Sequence, residues 1–183
     1  MMIGIIVAVI VVFFVIWFAA AYNGFIKLEN MVKEGWSGIN VQLKRRYDLI
    51  PNIIETVKGY AKHEEGLFVK VTEQRSAALK AESPAEKSQA ENMLTSTLRT
   101  VFAVAENYPE LKANENFKHL QQVLTEVEEI IQKSRRYYNG TVRDFNIKCK
   151  SFPSVIIANM FGFKEKEFFE IEDSEKENVK VSF

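Results

Sequence analysis

Few side chains in this sequence could act on a substrate, and their spacing gives them little to work with. There are two histidines, His63 and His119. Neither falls in a His-Glu-x-x-His turn, which puts two imidazoles on one helix face for zinc, nor in a Glu-x-x-His pair of the kind that builds di-iron centres inside bundles. Cys149 is the only cysteine, so a closed zinc site lacks ligands and an intramolecular disulfide is impossible. With no base placed beside it, Cys149 reads as a buried small hydrophobe. Gly59, Gly66 and Gly162 stand singly, without the clustering of a phosphate-cradling loop. Glu126, Glu128 and Glu129 could exchange protons as paired carboxylates, but such a run is ordinarily a solvated helix face. No catalytic residue, metal ligand or cofactor is therefore assigned, and no enzymatic activity is expected.

Binding is the better prospect. Lys44-Arg45-Arg46 is the most suggestive charge run. It could meet lipid headgroups, or form a ladder of ion pairs with Asp48 and neighbouring helices. Tyr108, Phe152 and Phe163 sit at breaks between periodic segments, where aromatics either close the core or dock a partner. These six residues, Lys44, Arg45, Arg46, Tyr108, Phe152 and Phe163, are the candidate partner or lipid contacts. The balance of 24 basic and 24 acidic residues argues against nucleic acid, which calls for a cationic surplus. Asn139-Gly140-Thr141 has the form of a glycosylation acceptor, but its helical setting argues against that use.

The elements that carry these residues begin with an apolar stretch. Residues 1–26 hold no charged side chain. As a helix, residues 1–22 would span about 33 Å, matching a hydrocarbon layer of roughly 30 Å. A lone span must pair its backbone internally, which leaves only the helix. Ala19-Ala20-Ala21 resembles a signal cleavage site, but the basic leader is missing and the apolar run is too long, so the anchor reading is preferred. Lys27, Lys33, Lys44, Arg45 and Arg46 follow the stretch, and no Lys or Arg precedes it. The positive-inside rule places the N-terminus outside and the C-terminal body in the cytoplasm. Lys44 would then stand about 33 Å beyond Tyr22 along a straight helix, far outside a Debye length of about 8 Å.

Beyond Tyr22 the pattern is helical. Ile39, Leu43, Tyr47, Ile50, Ile54, Val57 and Ala61 form one apolar stripe that keeps its phase through Pro51, which favours a kink over a stop. His63-Glu64-Glu65-Gly66 interrupts it. Leu67, Val71, Ala78 and Leu79 predict a second helix, and Ser83-Pro84-Ala85-Glu86 is a capping-box start for a third, bearing Leu94, Leu98, Val101, Phe102 and Ala105. Asn107-Tyr108-Pro109 ends that helix and Asn114 caps the next. There Phe117, Leu120, Leu124, Val127, Ile131, Ser134, Tyr138, Thr141, Phe145 and Lys148 keep a heptad-like rhythm past a weak point at Asn139-Gly140. Ser151-Phe152-Pro153-Ser154 breaks it, and a short helix over Val155–Phe161 should end at Gly162. The expected fold is all-α: an N-terminal transmembrane helix over 1–22, then an antiparallel bundle of about four long helices over 23–163. Residues 164–183 read as an extended or flexible acidic tail, with Phe168, Phe169 and Ile171 available to dock.

A set of ordered blocks resembles the LemA family. They are Tyr22-Asn23, Trp36, the run Gln-Leu-Lys-Arg-Arg-Tyr-Asp-Leu-Ile-Pro-Asn over 42–52, Lys58-Gly-Tyr-Ala-Lys-His-Glu64 and Arg75. Glu106-Asn-Tyr-Pro-Glu-Leu-Lys-Ala113, Arg136-Tyr-Tyr-Asn139, Phe152-Pro-Ser154 and Gly162-Phe163 follow in order. Two departures stand out: the tail after Phe169, and Gly140 in a helical position. The resemblance implies a bacterial-type single-pass membrane protein with a four-helix soluble body, among relatives that include a protein of magnetosome membranes. It does not imply an activity, and it fits a membrane-organising or adaptor role better than a reaction. The expected partners are the bilayer through residues 1–22, a protein of unknown identity, and a second copy of the chain. The alternative is a lipid-binding or membrane-shaping protein.

Overall fold

The computed structural model describes residues 1–170. Six helices follow one another: α1 (Met2–Lys58), α2 (Glu65–Lys80), α3 (Pro84–Ala105), α4 (Pro109–Ala113), α5 (Glu115–Lys150) and α6 (Ser154–Phe161), with no strand among the described residues. The fold is all-α, with four long helices and two short ones, as the periodicity predicts.

α1 is a single helix of 57 residues that carries the apolar stretch at its start and Pro51 within it. Pro51 does not end the helix, because its ring sits on an exposed position and costs only one backbone bond. The buried stripe includes a strict heptad row, Phe25, Val32, Ile39, Arg46 and Ile53. The first sixteen residues are all exposed, and this segment is long and apolar enough to cross a membrane.

The remaining ends follow local chemistry. α3 starts with the predicted box: the Glu86 amide donates to Ser83 Oγ at 3.2 Å, and the Ser83 amide donates to the Glu86 carboxylate at 3.3 Å. The Phe117 amide donates to Asn114 Oδ1 at 3.0 Å and opens α5, which continues through Asn139-Gly140. α4 was not anticipated; Pro109 pre-sets the first turn of this five-residue helix. Gly162 stops α6 at φ 73°, a left-handed conformation that favours glycine. On α2 the core face is Phe68, Val71 and Ala78, not Leu67 and Leu79; Leu79 falls one position out of phase and is exposed.

The chain divides into two compact units, to both of which α1 and α5 contribute. The first unit is Met1–Ser37 with Arg136–Glu167. Its interior is a cluster of rings. Phe25 stacks on Phe163 at 4.7 Å between centroids and meets Phe145 edge-on at 6.0 Å. Tyr22 and Phe18 pack on Phe161, at 4.7 and 5.8 Å. Trp36 lies 5.6 Å from Tyr138. A Cβ on Gly35 would stand 3.2 Å from the Tyr138 Cα, so the missing side chain is what lets the two helices approach there. Coil residues after α6 are tied down by one amide: Asn146 Nδ2 donates to the Lys166 carbonyl at 2.9 Å while its Oδ1 accepts from the Lys166 amide at 2.8 Å.

The second unit is Gly38–Arg135 with the segment from Phe168. Here α1 meets α5 antiparallel: Asn114 Nδ2 donates to the Tyr60 hydroxyl at 3.0 Å, and Arg46, fourteen residues back, pairs with Glu128, fourteen residues forward. Phe169 is fully buried in this unit beneath the Arg135 guanidinium, 4.6 Å from the ring centroid. Ser88 Oγ donates to the Glu170 carbonyl at 2.6 Å. The docking foreseen for Phe169 is thus observed; Phe168 is exposed, and Ile171 lies outside the described residues.

Candidate functional site

The densest polar construction is in the second unit, where all four of its longer helical segments contribute. Arg46 of α1 is fully buried. Its Nη1 donates to Glu91 Oε2 at 2.8 Å, and its Nη2 donates to Thr95 Oγ1 at 2.7 Å, both on α3. Its Nε faces Glu128 Oε1 of α5 at 2.9 Å as an ion pair. The Tyr47 hydroxyl donates to the second oxygen of Glu91. Arg75 of α2 donates through Nε to the Tyr47 carbonyl at 2.7 Å. A planar guanidinium with a fixed fork of donors suits this role, since each edge can serve a different helix.

Electrostatics follow from burial. The Tyr47 phenol is pushed far above its usual range, first by burial and then by the Glu91 carboxylate beside it. Burial also raises the Glu128 carboxyl, while Arg46 and Arg135 pull it back. Hydrogen bonds of the cluster tie α1 to α2 and α3, and ion pairs tie α1 to α3 and α5, so the arrangement fixes helix register. A cleft of about 410 Å³ opens beside it, lined by Arg46, Arg99, Phe102, Gln121, Glu128 and Arg135 among others. Among the described residues no group of three or more His, Cys, Asp or Glu side chains is placed to hold a metal ion.

The candidate contacts separate. Lys44 and Arg45 are exposed, but Arg46 is withdrawn from any surface: it lies in the heptad row of α1, and its charge is met from within. Glu128 likewise leaves the solvated face on which it was placed, because its position adjoins the stripe of Leu124, Val127 and Ile131. Tyr108 is half-buried before α4, and Phe163 is half-buried in the ring cluster of the first unit. Phe152 closes no core and is 83 % exposed. His63 and His119 are exposed and Cys149 is buried. Glu91, Thr95 and Arg135 were not singled out from sequence. Their signal was phase: Glu91 falls one turn before Leu94 on the α3 stripe, where an unpaired carboxylate would be untenable.

The fold and this site define a class: an all-α protein with, among the described residues, one candidate membrane-spanning helix and a helical bundle that holds a buried arginine. Residues 35–183 match the LemA family, and the chain belongs to it. Magnetosome protein MamQ 2 of Paramagnetospirillum magneticum (strain ATCC 700264 / AMB-1) is 23 % identical over 186 residues, covering 87 % of this chain and 68 % of the relative. Magnetosome protein MamQ of Magnetospirillum gryphiswaldense is 21 % identical over 174 residues, covering 81 % and 64 %. Protein LemA of Metamycoplasma hominis is 24 % identical over 164 residues, covering 87 % and 74 %.

Proposed function

We propose that this chain is a single-pass, membrane-anchored helical scaffold that docks a partner protein or a second copy of itself, without catalysing a reaction. The observation that carries the reading is α1. Its uncharged leading segment buries nothing within the protein, yet the same helix supplies Phe25, Ile39 and Arg46 to packed interiors. A wholly exposed apolar helix is unfavourable in water, whereas a bilayer accepts it. The charge flanking it orients the body to the cytoplasmic side of the inner membrane. Relatives named for magnetosomes support a role at an organised membrane.

Photo-crosslinking of the full chain in native membranes tests this reading. The probe replaces Val69, an exposed apolar residue in a groove of about 580 Å³ that also includes Phe68 and Lys58. Discrete, recurrent adducts that vanish with the neighbouring charge substitution Thr72→Glu are expected. A spread of abundant proteins would count against the scaffold reading. A second reading, lipid binding by the body itself, rests on the exposure of Lys44 and Arg45. It requires that the exchange of both for glutamate lower binding to anionic vesicles.

A further inference from the structure

We propose that α6 lies in the membrane–water interface, with Phe152, Ile156, Met160 and Phe161 inserted among lipid tails beside the exit of the α1 span. The proposal rests on the membrane-anchor reading above and adds a second point of lipid contact.

From Ser151 to Phe163 there is no charged side chain, while Lys148 and Lys150 precede the segment and Lys164 and Lys166 follow it. α6 uses Ile157 and Ala158 to pack inward. That leaves Ile156 at 49 % and Met160 at 62 % exposure one turn apart on α6, with Phe161 at 46 % beside them and Phe152, in the turn before the helix, at 83 %. A helix apolar on its outer face as well as its inner one needs an apolar surrounding. Single exposed hydrophobes are ordinary, but four large ones within ten residues are not.

The first unit shows which surrounding it meets. At the start of α6, Ser154 Oγ donates to the Lys148 carbonyl at 2.7 Å, and the Lys148 ammonium lies 4.8 Å from the Phe25 ring centroid. At its end, Phe161 packs on Tyr22 and Phe18. The end of α6 therefore packs on α1 at positions 18 and 22, and its start is bonded to α5 at Lys148, whose ammonium reaches Phe25; positions 18 to 25 cover about 10 Å along the α1 axis. This interval is where an uncharged span of some 22 residues meets the headgroups, and where Tyr22 belongs as an interfacial aromatic. Lys27 follows at about 7.5 Å beyond Tyr22, at headgroup-phosphate height. A partner protein would have to displace headgroups to reach these side chains, whereas lipid is already there. Interfacial helices of this kind bury their apolar face about 5–10 Å into the headgroup–acyl boundary.

Site-directed spin labelling of the full chain tests the placement. Cys149→Ala removes the native thiol, and single cysteines replace Val9, Ile156, Met160 or Leu79. The protein is reconstituted in vesicles of phosphatidylethanolamine and phosphatidylglycerol. Nitroxide relaxation by oxygen, which concentrates in lipid, is compared with relaxation by a water-soluble nickel chelate; circular dichroism checks that helicity is unchanged. Oxygen should dominate at Val9, Ile156 and Met160, and the chelate at Leu79, an exposed residue of α2. If Val9 is lipid-exposed but Ile156 and Met160 respond to the chelate, the interfacial placement is overturned and the anchor stands. If neither reagent reaches Ile156 and Met160, protein covers them and lipid does not. A chelate-accessible Val9 overturns the anchor reading itself, and this proposal with it.

Discussion

Phe25 and Arg46 occupy the same heptad row of α1, three heptads apart, and both are fully buried. Around Phe25 the interior is built from rings, with Phe145 at 6.0 Å and Phe163 stacked at 4.7 Å, and Tyr22 lies 6.0 Å from Phe163 in turn. Around Arg46 it is built from charge, with Glu91 and Glu128 within 2.9 Å. Ring clusters gain from area and weakly directional contact, about 0.5–1.5 kcal/mol per pair beyond burial, and they tolerate changes of shape. A buried guanidinium is all or nothing. Fully met, it fixes which helix faces which; with one carboxylate removed, an uncompensated charge remains in a low-dielectric interior. The contrast separates a part of the chain held by bulk from a part held by geometry.

The largest effect that would sharpen this contrast comes from Glu91. Glu91→Ala should cost about 3–5 kcal/mol by stranding Arg46, read from denaturant unfolding of the full chain in detergent. The double change Arg46→Met with Glu91→Leu should recover most of that loss, because paired apolar replacements of buried ions are often neutral. A double variant as weak as the single one would mean that shape, not charge, rules the site. Next in size is Phe163→Ala in the ring cluster. It should cost about 2–3 kcal/mol, less than a fully buried phenylalanine because Phe163 is half-buried. Phe163→Leu should restore most of it, and a failure to do so would make the ring cluster as geometric as the ion cluster.

A smaller effect appears in pH. Burial holds the Glu128 carboxyl above its ordinary 4.5. The folded chain therefore binds that proton more tightly than the unfolded chain. Its contribution to stability grows as pH falls from the raised folded value to the ordinary one, and is lost as pH rises back through that window. Glu128→Gln should flatten the rise in stability as pH falls towards the ordinary carboxyl value of 4.5, and an unchanged slope would remove Glu128 from the buried cluster. Smallest is the cap. Ser83→Ala should cost about 1 kcal/mol, measured the same way, with neither cluster disturbed.

Much of this architecture was legible beforehand, for reasons that can be named. The stripes of α1, α3 and α5, the Ser83–Glu86 box, the Asn114 cap and the Gly162 stop are local, each set by spacing or by one side chain meeting a nearby amide. Phe68 replaces Leu67 on the core face of α2 and Leu79 leaves it, because a short segment supports two neighbouring phases and only packing against α1 and α3 selects one. α4 was overlooked because five residues carry too little period to register. The candidate contacts fared unevenly. Lys44, Arg45 and Arg46 look alike in sequence, yet only the third falls on the heptad row, and that position removes it from solvent. Phe152 and Phe163 both flank breaks, but one faces outward and the other stacks on Phe25.

Sequence alone determined the helices, because amphipathic period, caps and an uncharged leader are properties of neighbours along the chain. It also placed the chain by resemblance in the family that the match over 35–183 then showed. What tertiary structure decided was partnership: that Arg46 is answered by Glu91 and Glu128, and that Phe161 closes on Tyr22. Those pairs join residues far apart in the chain, and no local preference encodes which of many charges or rings will meet. The choice is made only when whole faces are buried at once, since a mismatched pairing would leave a charge or a cavity inside.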